Sequence, residues 1–467
     1  MRAITSLLTD RVCSVYGVSQ QSDYTIEWVG PKTLIVPERI DVLLKLYYIE
    51  ARVCGLNMRD VTQIYSNHIH AITGFKDEEN GQPDKNSIDT FLLSFDKLID
   101  SFQKKGFDTD KSVIPVSNDN VILDGAHRLA CCIYFKQPVA IVRIHHVGLK
   151  SKVKPPIYDY GYFEHYLLGR KELDLAVSQY INYSPTNLYI ACLWPIISDL
   201  DSRKKVISLI KSKYKIVCCK TISPSFKLFD RLIAQVYMHD EWVGAIENNF
   251  SGSQGKSLMT FKNNSLLTFI VFEGYSTEET LALKDEIRNM FNIGKHSIHI
   301  TDTNEQTAFL ANIAFNENSL NLLEYADTGR YSKIIKDIYE SDNGKLLNLE
   351  ASKVVWGLAD NHEDAKNYTY MSLKKGYCHK DLEHNPSCYF YYLGMKLVMP
   401  SEIIASEYFD EQILGPFWVQ TKKIKLLPKI NYFIKLKKVI IRNRVRVYLS
   451  RNPFFYKLLS SIKNKLY

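Results

Sequence analysis

The stretch Ile122-Leu-Asp-Gly-Ala-His-Arg-Leu-Ala130 decides the fold of the N-terminal part of this 467-residue chain. It places a carboxylate, a glycine, an imidazole and a guanidinium within five residues, between a predicted strand and a predicted helix. Gly125 lets the backbone approach an anion closely, and a helix that begins near His127 points free N–H groups at it. Arg128 offers a planar fork for phosphate oxygens. The stretch therefore predicts a phosphate-binding turn; the alternative is a tight turn whose polar residues only cap the helix.

The segments around this turn predict an α/β unit. Residues 113–116 and 121–123 flank the polar turn 117–120, a pattern typical of a β-hairpin. The apolar segment 129–135 predicts a helix, and 139–145 predicts the next strand.

Upstream of the turn, the chain alternates strand-like and helical patterns. Residues 33–37 predict a strand, and residues 40–53 and 87–104 predict helices, the last with apolar residues along one face. Together with the turn, they predict a first α/β domain over residues 1–155.

A second α/β domain is predicted over residues 165–330, after a boundary rich in proline, glycine and tyrosine. Its pattern of strands and helices reads β-α-β-α-β-β-α-β-α. The predicted elements are strands 188–193 and 215–220, helices 199–213 and 227–238, a hairpin 258–261/266–272 around Asn263-Asn264, a helix to residue 291 that a capping box at 276–279 opens, strand 297–300 and helix 303–315. Residues 331–420 stay mixed and unassigned.

The charge is concentrated at one end of the chain. Residues 421–467 carry ten lysines, four arginines and no acid, which leaves residues 1–420 with a charge of −6 out of the net +8. Such asymmetry indicates an anionic partner for this basic tail. Interleaved aliphatic and aromatic residues favour an amphipathic segment on an anionic membrane surface over nucleic acid. A third alternative is that the tail packs on the body or on another protein.

Composition excludes several classes of protein. Hydrophobic residues make up 46% and charged residues 24%, which is ordinary for a globular protein and excludes a disordered chain, collagen and a coiled coil. The nine cysteines form no CxxC pair, as expected in a reducing cytoplasm. Asp10 and Arg11 lie where a signal peptide needs its apolar core, and no apolar run reaches the ~20 residues of a membrane helix.

The turn and its flanking strands resemble the ParB/sulfiredoxin superfamily over about residues 30–145. Members share a strand–turn–helix with Asp-Gly-x-His-Arg or a variant, and the resemblance implies a bound nucleotide or phosphate at Gly125, Ala126, His127 and Arg128. Branches include CTP-dependent DNA-partitioning proteins, sulfinic-acid reductases and small-molecule kinases. The form here resembles the kinase branch most, because Ala126 stands where sulfiredoxins have their reactive cysteine and neither a Gly-Glu-Arg-Arg turn nor a helix-turn-helix follows.

The resemblance to the kinases also implies further site residues. A glutamate early in the domain acts there as base toward the substrate hydroxyl, and Glu50 is the best match by position, with Glu79 as second choice. His127 and Asp124 complete the predicted catalytic set, with Asp124 near a bridging Mg²⁺. Either glutamate is equally compatible with a solvated surface carboxylate.

Three weaker patterns favour structural roles or stay open. Ser251-Gly-Ser-Gln-Gly-Lys-Ser257 lacks the first glycine of a P-loop and predicts a flexible loop. His299 and Asp302 end a predicted strand and are compatible with a second polar site or with helix capping. Histidines occur at positions 68 and 70 and at positions 145 and 146. Adjacent residues of a strand point to opposite faces, so the pair 145–146 is poorly placed to share a metal ion. No zinc site is predicted.

The sequence thus predicts a bacterial-type cytoplasmic phosphotransferase, peripheral on the inner membrane face. It would use ATP or another nucleotide and Mg²⁺, with a small hydroxylated acceptor from surface-polysaccharide or lipid-linked sugar assembly. Two alternatives stay open: a nucleotide-binding regulator or DNA-binding protein, and a non-catalytic scaffold of a membrane assembly.

Overall fold

The computed structural model describes residues 4–78, 85–107, 113–166, 168–245, 248, 250–325, 371–373, 379–398 and 403–405. Glu79, most of the unassigned stretch 331–420 and the whole basic tail lie outside the described residues. Within them the fold is mixed α/β, as the sequence predicts.

A three-stranded sheet organises the N-terminal region. Its strands are β1 (Tyr24–Val29), β2 (Ile114–Ser117) and β3 (Val139–Ile144), in the order β1-β3-β2. β3 is antiparallel to β1 and parallel to β2. The helices of this region are α1 (Asp10–Tyr16), α2 (Asp41–Cys54), α3 (Met58–Ile72), α4 (Ile88–Lys105) and α5 (Ala126–Tyr134).

Helix α5 connects the two parallel strands, and this connection places the predicted turn. β2 runs into a tight turn at which Asn120 takes a positive φ of 63°, and Ile122 then returns to bridge Val116. The hairpin that the polar turn predicts is therefore present, shortened to a single bridge. Its return brings Asp124 and Gly125 back beside the start of β2.

One predicted strand of this region is wrong. Residues 33–37 begin in a short 3-10 helix, Pro31–Leu34, and continue as extended chain outside any strand. Pro31 stands at the first helical position, where its fixed φ is already helical and its missing N–H costs nothing. The predicted helices 40–53 and 87–104 are confirmed within one residue, and Ser87 caps α4.

A four-stranded antiparallel sheet organises the next region. Its strands are β4 (Leu188–Leu193), β5 (Lys215–Ile222), β6 (Leu267–Glu273) and β7 (Ile298–Ile300), in the order β5-β6-β4-β7. Its helices are α6 (Tyr160–His165), α7 (Arg170–Tyr183), α8 (Leu200–Lys213), α9 (Phe226–Val236), α10 (Ser253–Thr260), α11 (Thr277–Phe291), α12 (Asn304–Ala314) and α13 (Glu317–Tyr325).

The predicted hairpin around Asn263-Asn264 is wrong, because its first arm belongs to helix α10. Both edges of β6 are occupied by β4 and β5, which are distant in sequence. The predicted loop 251–257 is also wrong, since residues 253–257 form the first turn and more of α10. The capping signals hold: Asp199, Ser276 and Thr303 each accept a hydrogen bond at the start of the predicted helix.

The described C-terminal segments attach to both regions. Helix α14 (His379–His384) precedes the hairpin of β9 (Tyr389–Tyr392) and β10 (Met395–Val398), while β8 (Met371–Leu373) pairs with β11 (Ile403–Ala405). Asp381 accepts a hydrogen bond from the backbone N–H of Asn57. A single apolar core extends from Leu34 in the first region to Phe390 in β9. No helix among the described residues is long and apolar enough to cross a membrane.

Candidate functional site

The turn before α5 requires glycine for two reasons. Gly125 takes a left-handed φ of +85°, which side chains with a Cβ rarely adopt. A Cβ there would also lie 2.8 Å from Nη2 of Arg128, whose guanidinium folds back over the glycine. The turn is further fixed by Asp124, whose Oδ1 accepts a hydrogen bond of 2.7 Å from the Gly125 N–H.

The N-terminus of α5 has no side-chain cap. Gly125 is its N-cap residue and supplies no side-chain oxygen for the first-turn N–H groups. Such N–H groups and the positive end of the helix dipole together favour an anion. Arg128 lies beside them and donates from Nη1 to the carbonyl of Val113, 3.2 Å away. The glycine turn that the sequence predicts between a strand and a helix is therefore present, and phosphate binding at this turn stays a prediction.

His127 is held in its neutral form. Burial, followed by the nearby ammonium groups of Lys45 and Lys85, lowers the pKa of this imidazole well below its usual range. Its Nε2 lies 2.8 Å from the hydroxyl of Tyr65, and its ring lies edge-on to Phe95 with centroids 4.5 Å apart. These contacts fix the ring's orientation, and a neutral imidazole supplies one hydrogen-bond donor and one acceptor.

A buried group of three charges lies beside the turn. Arg39 donates from Nε and Nη2 to the two carboxylate oxygens of Asp41, at 2.7 and 3.0 Å, and Lys45 Nζ donates to Oδ2 at 2.8 Å. Burial alone would raise the pKa of Asp41, but the two cations outweigh it and hold that pKa well below its usual range. Arg39 also donates to the carbonyl of Ile122, which ties the start of α2 to the turn.

These groups open onto a cavity of about 950 Å³. All its lining residues lie between positions 9 and 158, so it belongs to the N-terminal region. Its cationic side chains outnumber its carboxylates: Arg11, Arg39, Lys45, Lys76, Lys85, Lys97 and Arg128 against Asp41, Glu78 and Asp124. A cavity with this excess of positive charge concentrates anions.

The structure brings together five of the seven predicted site residues. Asp124, Gly125, Ala126, His127 and Arg128 all line the cavity. It also adds cationic and aromatic groups that the sequence analysis missed, because they come from α2, α3 and α4 rather than from the motif. Only the spacing of Asp41 and Lys45, one helical turn apart, could have indicated part of this set.

Neither of the two predicted bases, Glu50 and Glu79, is among the described lining residues of the cavity. Glu50 does not line the cavity: it lies nine residues after Asp41 on α2, roughly on the opposite side of a helix with 3.6 residues per turn. Its Oε1 is 3.1 Å from Nδ1 of His384 on α14 instead. Glu79 lies outside the described residues, but its neighbour Glu78 lines the cavity.

Magnesium could be held only in part by protein groups. Among the described residues no cluster of three histidine, cysteine or carboxylate side chains could bind a metal. Mg²⁺ in phosphoryl-transfer sites is commonly bound by one or two carboxylates together with substrate phosphates and water. Asp124 fits that pattern, since its carboxylate lines the cavity and its Oδ1 is positioned by the Gly125 N–H.

The weaker sequence candidates have structural roles. Asp302 accepts from Lys284 at 2.6 Å, and Thr303 caps α12, so capping explains this strand end. Burial lowers the pKa of His299 to about 3. The two cysteines on the helix after the turn, Cys131 and Cys132, are fully buried.

No protein-family model matches the chain, and no curated protein matches it in sequence. Its function is therefore inferred from the residues of the cavity.

Proposed function

We propose that this chain is a nucleotide-dependent phosphotransferase with a ParB/sulfiredoxin-like N-terminal region. It transfers a phosphoryl group from ATP or another nucleotide to a small hydroxylated acceptor. The observation that supports this proposal most is the uncapped N-terminus of α5, which faces a cavity with excess positive charge beside Arg128 and Lys45.

The chemistry needs positioning and charge neutralisation more than covalent catalysis. The first-turn N–H groups of α5 and the Arg128 guanidinium would bind phosphate oxygens. The hydrogen bond to Asp41 holds the Lys45 ammonium group in place, so this positive charge is positioned before the substrate binds. His127, being neutral, would donate a hydrogen bond to the transferred group rather than carry a charge.

The acceptor hydroxyl needs a carboxylate to accept its proton. Asp41 is committed to two cations, so the remaining described carboxylates of the cavity, Asp124 and Glu78, are the candidates for this role. Glu79 stays a candidate by its place next to Glu78. Mg²⁺, when bound by Asp124 and the phosphates, would neutralise charge on the transferred group.

Turnover separates this function from its rivals. We expect the full-length protein to release nucleoside diphosphate in the presence of a panel of hydroxylated acceptors and Mg²⁺. His127→Ala should lower kcat more than it changes nucleotide affinity, because the hydrogen bond acts on the transferred group. His145→Ala, which removes a half-buried side chain that does not line the cavity, is the matched control. Nucleotide binding without turnover would favour the regulator, and no nucleotide binding would favour the scaffold.

The basic tail supports a peripheral membrane location on the cytoplasmic face. Residues 421–467 carry +14, and each basic residue near an anionic leaflet contributes about 1 kcal/mol. That location suits an acceptor in surface-polysaccharide or lipid-linked sugar assembly. We expect full-length protein to co-sediment with anionic vesicles, less so as salt rises, and a variant without residues 421–467 to stay in solution. Equal sedimentation of both forms, or DNA retardation without vesicle binding, would contradict the membrane proposal.

A further inference from the structure

A second set of polar groups lines the outer part of the same cavity. Ser94, Lys97 and Ser101 are spaced three and four residues apart on α4, so they form a stripe on one side of that helix. Lys76, which follows the end of α3, also lines the cavity. Their side chains are more exposed than Lys45, which is buried against the turn.

These outer groups differ from the inner cations in their partners. Arg39 and Lys45 share the carboxylate of Asp41, as described above. The side-chain ammonium groups of Lys76 and Lys97, by contrast, form no ion pair or hydrogen bond with any residue that the structure describes. Two ammonium groups without a protein partner, beside hydroxyls that can donate, are suited to an anionic group of a ligand.

The cavity is large for a ligand-binding cleft. Its volume of about 950 Å³ is at the upper end of the range for clefts that bury one drug-sized ligand. A phosphotransferase must hold donor and acceptor together. Phe95, the neighbour of Ser94 on α4, contacts the His127 ring, so the outer stripe adjoins the position proposed for the transferred phosphate.

We propose that the acceptor is itself an anion: a small alcohol bearing a phosphate or carboxylate group that binds Lys76 and Lys97 with the serine hydroxyls. This inference rests on the proposed phosphotransferase function. In the reaction, the acceptor oxygen forms a bond to the terminal phosphorus while the bond from that phosphorus to the bridging oxygen breaks. The acceptor proton passes to a cavity carboxylate, and the nucleoside diphosphate leaves.

A matched pair of probes tests the subsite on the full-length protein. Glycerol 3-phosphate and glycerol differ only in the anionic group, and each is titrated by calorimetry into protein saturated with ADP. We expect glycerol 3-phosphate to bind at least tenfold more tightly than glycerol. Lys76→Ala and Lys97→Ala should each weaken its binding by about threefold to tenfold, the scale of a lost charge-assisted contact at a partly exposed site.

Lys104→Ala is the control, because Lys104 lies on the same helix and is exposed but does not line the cavity. It should bind the probe as the wild type does, and all three variants should keep wild-type ADP affinity. The subsite is wrong if glycerol 3-phosphate does not bind, binds no better than glycerol, or loses no affinity in the Lys76 and Lys97 variants. If glycerol 3-phosphate binds through these lysines while ADP does not bind at all, the subsite stands and the phosphotransferase proposal fails.

Discussion

Two buried ionic groups, one in each sheet region, differ in their environment. In the N-terminal region Asp41 binds Arg39 and Lys45 at the wall of the cavity. In the second region Lys220 of β5 donates to Asp174 of α7 at 2.7 Å and to the carbonyl of Ala314 at 2.6 Å. All five charged side chains are at most 5% exposed. The two groups are therefore equally buried. They differ in the number of charges and in whether a cavity adjoins them.

The comparison separates a structural pair from a binding site. Lys220 and Asp174 balance each other, and none of the cavity's lining residues comes from their region. Burial there raises the pKa of Asp174 and lowers that of Lys220, although each partner's charge opposes the shift. At Asp41 two cations outweigh burial, and both cations line the cavity. A cavity lined with an excess of cationic side chains is suited to an anionic ligand.

The largest expected effect is on the buried pair Lys220 and Asp174. Lys220→Met leaves Asp174 buried without its cation and should lower the free energy of unfolding by about 3–5 kcal/mol. The measurement is urea denaturation of the full-length protein. Lys204→Ala, which removes an exposed pair with Asp201, should change it by less than about 1 kcal/mol.

A double variant sharpens this test. Lys220→Met combined with Asp174→Leu removes both charges and should recover most of the lost stability, since apolar replacement of a buried pair is often neutral. If Lys220→Met costs no more than Lys204→Ala, the pair does not have the structural role that its burial suggests.

A smaller and reversible effect is expected at the cavity wall. Asp41→Asn leaves Arg39 and Lys45 without their carboxylate and should cost about 2 kcal/mol, less than Lys220→Met because solvent and anions reach the cavity. Added inorganic pyrophosphate should restore stability to Asp41→Asn, because it binds only the folded state. It should not restore Lys220→Met. Equal rescue of both variants would remove the distinction between the two regions.

The smallest expected effect concerns protons. His68 of α3 is fully buried, and its ring lies edge-on to Tyr65 with centroids 4.9 Å apart. Neither of its ring nitrogens has a hydrogen-bond partner among the residues that the structure describes. Burial, with a smaller contribution from Lys45 that Asp41 opposes, lowers its pKa well below the usual range. The unfolded chain therefore binds a proton below pH ~6.5 that the folded chain does not.

This neutral histidine stabilises the fold above pH ~6.5, and the contribution is lost as pH falls. As pH is lowered below ~6.5, the free energy of unfolding should fall more steeply in the wild type than in His68→Leu. The difference in slope should be about 1.4 kcal/mol per pH unit. His127 and His299 remain in both proteins, so their contributions cancel in the comparison. Identical pH profiles for wild type and His68→Leu, from denaturation at several pH values, would mean that His68 is protonated in the fold.

Local signals in the sequence predicted half of the described α-helices and several strands. The Asp199, Ser276 and Thr303 caps marked three helix starts, since a cap depends only on neighbouring residues. Strand pairing depends on distant segments, and so the predicted partner of β6 was wrong: the segment before Asn263 is helical, and β6 pairs with β4 and β5.

The site divides in the same way. The turn Asp124 to Arg128 was predicted because its residues are contiguous, so their chemistry and spacing can be recognised in the sequence alone. Lys45 and Tyr65 reach the turn only because α2 packs on α5 and α3 packs on α2, although these helices are distant in sequence from the turn. Glu50 was chosen by its place along the chain, and helical periodicity turns it away from the cavity.

The most direct test of the central claim is a calorimetric titration of the full-length protein with ATP and Mg²⁺. We predict that Arg128→Ala weakens binding by about 2 kcal/mol, the scale of a lost charge-assisted hydrogen bond. Arg59→Ala, an exposed arginine of α3 that does not line the cavity, should bind as the wild type does. Circular dichroism checks that both variants are folded. Undiminished affinity in folded Arg128→Ala, or no binding of nucleotide to the wild type, would contradict the assignment of this turn as the nucleotide site.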